Sequence, residues 1–147
     1  MVFARFIPSQ MKTSEIEITG YEERIISGRL INPFYAEAKP FHGMVQLISL
    51  IENICDELNF PEQTLEMRDF NGFGERMKLT ECNKNNSESV ITRFNICLHF
   101  RQNASWQGSL SRLEHKETAN FRSVLELIYL IDTVLLGLIE NHTSCDV

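Results

Sequence analysis

The sequence predicts an α+β fold: a two-layer sandwich with a mainly antiparallel sheet of roughly four to six strands and two helices on one face. Three observations predict it. Sliding the chain against itself at a shift of 80 aligns residues 28 to 60 with 108 to 140 without a gap and gives nine identities, among them Gly28/Gly108, Phe41/Phe121 and Leu47-Ile48/Leu127-Ile128. Within each copy the hydrophobic period changes from two to 3.6, the change expected where a strand pair hands over to a helix. The length of 147 residues suits one domain, large enough to bury roughly 70% of the surface of its unfolded chain. The expected organisation is therefore a single domain over 1–147. Its two strand-strand-helix units, about 14–60 and about 94–140, flank an insert at 61–89 and are related by an approximate internal twofold.

Taken in chain order, EIEIT and RIISGRLI form the hairpin of unit one, since their apolar residues alternate with polar ones. Pro40 then suits a helix start before Phe41. Phe41, Met44, Val45, Ile48, Ile51, Cys55 and Leu58 make an apolar stripe, and Gln46, Ser49, Glu52, Asn53 and Asp56 make the wet side. Burying such a stripe stabilises by roughly 1.5–3 kcal/mol per large side chain before conformational entropy is subtracted, so neither helix stands without a sheet beneath it. In the insert, LEMRDF at 65 to 70 predicts an extra strand, and the polar, turn-forming residues 71 to 89 predict a loop.

In unit two, FNICLHFR places Phe94, Ile96, Leu98 and Phe100 on one face and Asn95, Cys97, His99 and Arg101 on the other. SWQGSLSRL continues the alternation with Trp106 and Leu110 inward, which predicts a hairpin turning near Gln102 to Ala104. Asn120 is the expected N-cap of the second helix. Glu37 and Glu117, repeated acids ahead of the two helices, suit their positive ends. The second helix is the more apolar. Leu135, Leu136 and Ile139 stand where copy one has Cys55, Asp56 and Asn59, and this surplus predicts a contact with a second copy or with the N-terminal VFARFI.

Apolar and charged fractions of 43% and 23% are those of an ordinary globular domain. A net charge of −6, with the 14 Lys and Arg scattered, disfavours nucleic acid, which is gripped by clustered positive charge. The outer sheet face, with Glu15, Glu17, Thr19, Asn95, Cys97, His99, Gln107 and Ser109, also lacks the aromatic residues on which bases stack. Cys55, Cys82, Cys97 and Cys145 have no CxxC spacing and predict reduced thiols in a cytoplasmic protein. Residues 124 to 139, the most apolar window, are interrupted by Glu126, Asp132 and Thr133, and the opening residues lack a signal-peptide pattern; neither a membrane span nor secretion is expected.

HFRQNASWQG, residues 99 to 108, is the segment richest in chemistry, with a guanidinium, amides, a hydroxyl and an indole around a turn. It supplies the candidate ligand-binding set Arg101, Gln102, Asn103, Ser105 and Gln107, joined by Arg122 if the second helix begins beside the turn. The competing account has Arg101, Gln102 and Asn103 closing the turn, Trp106 in the core, and both arginines as solvated surface charges. Asn103 to Gly108 fits the NxSxxG half of the motif of PilZ domains, which bind cyclic di-GMP, but Arg68, Arg76 and Arg93 do not supply the RxxxR half. Cys97 and His99 share a strand face without the further ligands zinc needs. There is no P-loop, no GxGxxG and no nucleophile elbow. No catalytic residue, metal or cofactor is expected.

RQNASWQG followed by FRSVLELIYLID, with SGRLINPF and FHGMVQLISLIENICDELNFP, resembles a family of small Firmicutes proteins over about residues 27 to 70 and 93 to 137. The resemblance implies a bacterial, cytoplasmic or mobile-element setting and brings no activity or cofactor with it. The expected function is a non-enzymatic protein-interaction or regulatory module that binds a protein partner, with a phage- or element-encoded inhibitor as one form, and homodimerisation through Leu135, Leu136 and Ile139. The alternative is a sensor or sequestering protein for a small anionic ligand, such as a nucleotide or cyclic dinucleotide.

Overall fold

The computed structural model describes residues 9–74, 78–79, 82 and 89–144; the N-terminal VFARFI, Cys145 and most of 75–88 lie outside them. After a single 3₁₀ turn at Ser9–Met11 come β1 (Thr13–Glu22), β2 (Ile25–Ile31), β3 (Lys39–His42) and α1 (Met44–Leu58). The insert holds β4 (Arg68–Asp69) and β5 (Gly72–Phe73), and the chain continues with β6 (Thr92–Phe100), β7 (Gln107–Arg112), β8 (Glu117–Phe121) and α2 (Val124–Ser144). The main sheet is six-stranded in the order β3-β2-β1-β6-β7-β8, every neighbouring pair antiparallel. With both helices on one face it is the α+β sandwich expected.

Strand-strand-strand-helix runs twice along the chain, and the central register is that of a twofold. Glu15 pairs with Asn95, its counterpart at an offset of 80, while Ile16 pairs with Phe94 and Ser14 with Ile96. Gly28 and Gly108 also hold matching places. A Cβ on Gly28 would fall 1.8 Å from the Glu17 carbonyl oxygen, and one on Gly108 would fall 2.1 Å from that of Cys97. Only glycine allows the strands to approach this closely.

The third strand of each unit corrects the expected strand-strand-helix pattern. Pro40 is not a helix start and Asn120 is not an N-cap, because β3 and β8 are the two edges of the sheet, pairing Gly28 with Phe41 and Gly108 with Phe121. An edge strand accommodates proline, whose missing N–H can face away from the ladder. Phe41 and Phe121 are buried as the last inward residues of these strands. The helices begin just beyond: the Ser123 hydroxyl accepts the Glu126 N–H at 3.2 Å, and Gly43 leads into α1 with φ 91°. Glu37 and Glu117 accordingly precede or lie in edge strands instead of touching helix ends, and Glu117 approaches Arg112 at 3.6 Å.

A later helix start turns the stripe of α1. Leu47, Leu50, Ile51 and Ile54, spaced for one helical face, are buried with Cys55. Val45 is 72% exposed and Ser49 is buried, the reverse of expectation. LEMRDF supplies only Arg68–Asp69, paired with Gly72–Phe73 in a hairpin separate from the main sheet.

Two β-bulges set the remaining orientations. They fall between Ile18 and Gly20 in β1 and between Leu98 and Phe100 in β6, again 80 apart. An extra residue reverses the alternation beyond it. Phe100, expected inward, is therefore 55% exposed, whereas Arg101, expected outward, is 2% exposed. Thr19, expected on the outer face, is buried at the first bulge. In α2, Leu135 belongs to the core, which corrects its place at an interface; Leu136 is half-buried and Ile139 is 40% exposed.

Candidate cleft beneath the β6–β7 turn

Residues beyond the second bulge meet α1 and the insert around a cleft of about 470 Å³. Ile48, Met67, Trp106 and Val124 give it apolar walls, and Glu52, Asp56, Asp69, Arg68 and Arg101 give it charge. Arg101 is the pivot. Its Nε donates to the Pro61 carbonyl at 2.6 Å, and one terminal nitrogen donates to Asp56 at 2.7 Å and Glu52 at 3.3 Å. The other oxygen of Glu52 accepts the Trp106 indole N–H. Glu52 and Asp56 lie one helical turn apart, so one guanidinium spans both.

Burial makes these contacts costly to break, because Arg101 has traded water for fixed acceptors. Cys55 lies beside the same cluster. Burial pushes its thiol pKa up to about 12 against the opposing pull of Arg101, which keeps the sulfur protonated at neutral pH.

Of the expected ligand set, Arg101 and Ser105 line the cleft. The Ser105 hydroxyl accepts the Val124 N–H at 3.0 Å and so completes the first turn of α2. Gln102 and Gln107 close the hairpin on each other: the Gln102 N–H donates to the Gln107 side-chain oxygen at 2.9 Å, and the Gln107 amide donates back at 3.0 Å. Asn103 sits at the tip with φ 56°. Arg122 lies outside, its side chain 88% exposed and paired with Glu126 at 2.8 Å. Arg101 and Arg122 do not converge on an anion site. Arg101 is not a solvated surface charge either, because carboxylates from α1 enclose it.

Glu52 and Asp56 went unrecognised in the sequence because both fall on the polar side of their helix. A signal was present, since Glu52 aligns with Asp132 at the offset of 80, placing an acid at the same point of two otherwise apolar stretches. Compared with protein-family models, curated proteins and solved structures, the chain matches none. Among the described residues no group of three His, Cys, Asp or Glu side chains is placed to hold a metal ion. Among them, too, no helix is long and apolar enough to cross a membrane. The cleft sets apolar walls beside both carboxylate and guanidinium groups.

Proposed function

We propose that the protein is a non-enzymatic interaction module that binds a protein partner, and that the cleft beneath the β6–β7 turn receives a segment of it. The observation that carries this reading is an open, largely apolar cleft whose hydrogen-bonding groups are fixed within the fold: Arg101 and Trp106 both engage Glu52, and Ser105 holds the first turn of α2. Groups fixed in this way orient a bound segment, the usual composition of a recognition pocket. Trp106 is the sole tryptophan and reports on occupancy directly. Peptides selected from a random display library on the immobilised protein should shift Trp106 emission and lose binding in Ile48→Arg, which projects a cation and bulk into the cleft. Selected peptides that bind Ile48→Arg equally well would overturn the assignment.

Homodimerisation belongs to the same proposal: Leu135 leaves the expected set because it is buried, Leu136 and Ile139 stay in it, and Leu125 and Tyr129 on α2, 76% and 68% exposed, join them. Sedimentation should show a dimer that Tyr129→Glu dissociates; a monomer at all concentrations would refute it. A cytoplasmic setting is part of the same proposal.

A further inference from the structure

Each half of the chain passes from its second strand to its third through a short link, and the two links meet their helices differently. In the first half Tyr35 reaches α1: its hydroxyl donates to the Leu50 carbonyl at 2.8 Å and accepts the Asn53 side-chain N–H at 3.1 Å. Asn32, where that link begins, is 3% exposed, its side-chain nitrogen donating to the Ser14 hydroxyl at 2.9 Å and its oxygen accepting the Phe34 N–H at 2.8 Å. At the offset of 80, Arg112 and His115 stand in these two places. There the link does not close on its helix, and Arg112 and His115 face Thr133, Val134, Gly137 and Leu138 of α2 across a hollow of about 350 Å³.

Arg112 is short of acceptors. Its side chain is 19% exposed, its Nε is sealed from solvent without a hydrogen-bond partner, and its one ion-pair contact among the described residues is Glu117 at 3.6 Å, too long for a hydrogen bond. A guanidinium that has left water and gained so little carries a desolvation cost that an arriving anion offsets. Gly137 opens the opposite wall. It is the one glycine within α1 and α2, and a helix interior disfavours glycine relative to alanine. A Cβ added there would meet nothing within 4 Å, so no neighbouring element demands the small residue. Its visible effect is to keep the hollow open beside Val134 and Leu138.

We propose that this hollow is a binding site for a small organic acid, its carboxylate held by the Arg112 guanidinium and its short apolar body lying over Gly137 against Val134 and Leu138. A carboxylate matches the planar fork of a guanidinium, and His115 supplies a further donor at the rim. A volume of about 350 Å³ lies at the small end of the range for ligand sites, which suits a compact acid. The hollow shares no lining residue with the cleft beneath the β6–β7 turn, so each reading stands or falls alone.

The test follows the Gly137 amide and the His115 ring cross-peaks by NMR, with 4-methylpentanoate as the probe. A saturable shift is expected, with at least about tenfold weaker binding for 4-methylpentanamide, which keeps the shape and loses the charge, and for acetate, which keeps the charge and loses the apolar body. Arg112→Met should weaken binding by at least about tenfold. Gly137→Leu, followed at the His115 ring, should abolish binding by filling the hollow from the helix side, with a Tm no lower than that of wild type because leucine favours the helix. Loss of binding in that variant is therefore not a loss of folding. Amide or acetate binding as tightly as 4-methylpentanoate, unchanged affinity in Arg112→Met or Gly137→Leu, or no shift up to about 10 mM probe would overturn the assignment. Tighter binding of N-acetyl-glutamate-N-methylamide than of 4-methylpentanoate would place the carboxylate on a partner polypeptide and overturn the assignment to a small acid.

Discussion

Removing the Arg101 guanidinium should destabilise the fold more than any surface charge does. Arg101→Met keeps most of the buried stem and deletes the cation shared by Glu52 and Asp56, whose side chains are 15% and 18% exposed. It also leaves the Pro61 carbonyl without its donor. Breaking a buried ion pair on one side costs about 3–5 kcal/mol, and partial access of water to both carboxylates brings the expectation to the lower end, about 3 kcal/mol. For a chain of this size that is roughly 6–12 °C in Tm. Urea unfolding with an unchanged m-value measures it. Adding Glu52→Gln to Arg101→Met should recover part of the loss, because the Glu52 charge that faced the guanidinium is then gone while the indole keeps its acceptor. A cost for Arg101→Met below about 1 kcal/mol, the range of ordinary surface substitutions, would refute the account of a buried clasp.

Three further outcomes follow from the geometry. Gly108→Ala places a methyl 2.1 Å from the Cys97 carbonyl oxygen and should cost at least about 3 kcal/mol in chemical unfolding; a loss under 1 kcal/mol would show the strands to be less closely apposed. Asp132 is held below its ordinary pKa of 3.8, first by the Arg24 hydrogen bond and then by that of Tyr21. Its contribution is present above the unfolded value and lost as pH falls through the folded one, so the stability gap between wild type and Asp132→Asn should close on acidification below about pH 4. A gap that stays constant from pH 7 to pH 2 would disprove it. Native protein at pH 8 should be alkylated by iodoacetamide at half-buried Cys97 well before Cys55, whose thiol burial pushes up to about 12; peptide mass spectrometry that found Cys55 modified first would contradict the placement.

Strands β1, β2, β6 and β7 and both helices were legible in the sequence because each carries a period longer than its ambiguous ends. Edge strands β3 and β8 were not. KPFH and ETANF are short and polar, and Phe41 and Phe121 lie at the junction where an inward strand residue and a first helical residue look alike. Bulges leave no compositional mark either, so strict alternation places Arg101 on the outer face, which a single extra residue reverses. The candidate site was half legible for the same reason. Chemistry gathered at the turn was visible in residues 99 to 108. Its partners Glu52 and Asp56 lie 49 and 45 residues away, and a carboxylate with a distant counter-ion reads as an ordinary wet helix face.

Beyond each bulge, the inward polar residue reaches the helix of the opposite half: Tyr21 to Asp132, Arg101 to Glu52 and Asp56. The halves are thus interlocked, and neither would be self-sufficient if severed in the insert. A fragment ending there would keep a carboxylate pair with its guanidinium gone, and the complementary fragment a guanidinium with its acids gone. Mixed together, such fragments would have reason to reassemble, with the opposite charges restoring register along the central seam.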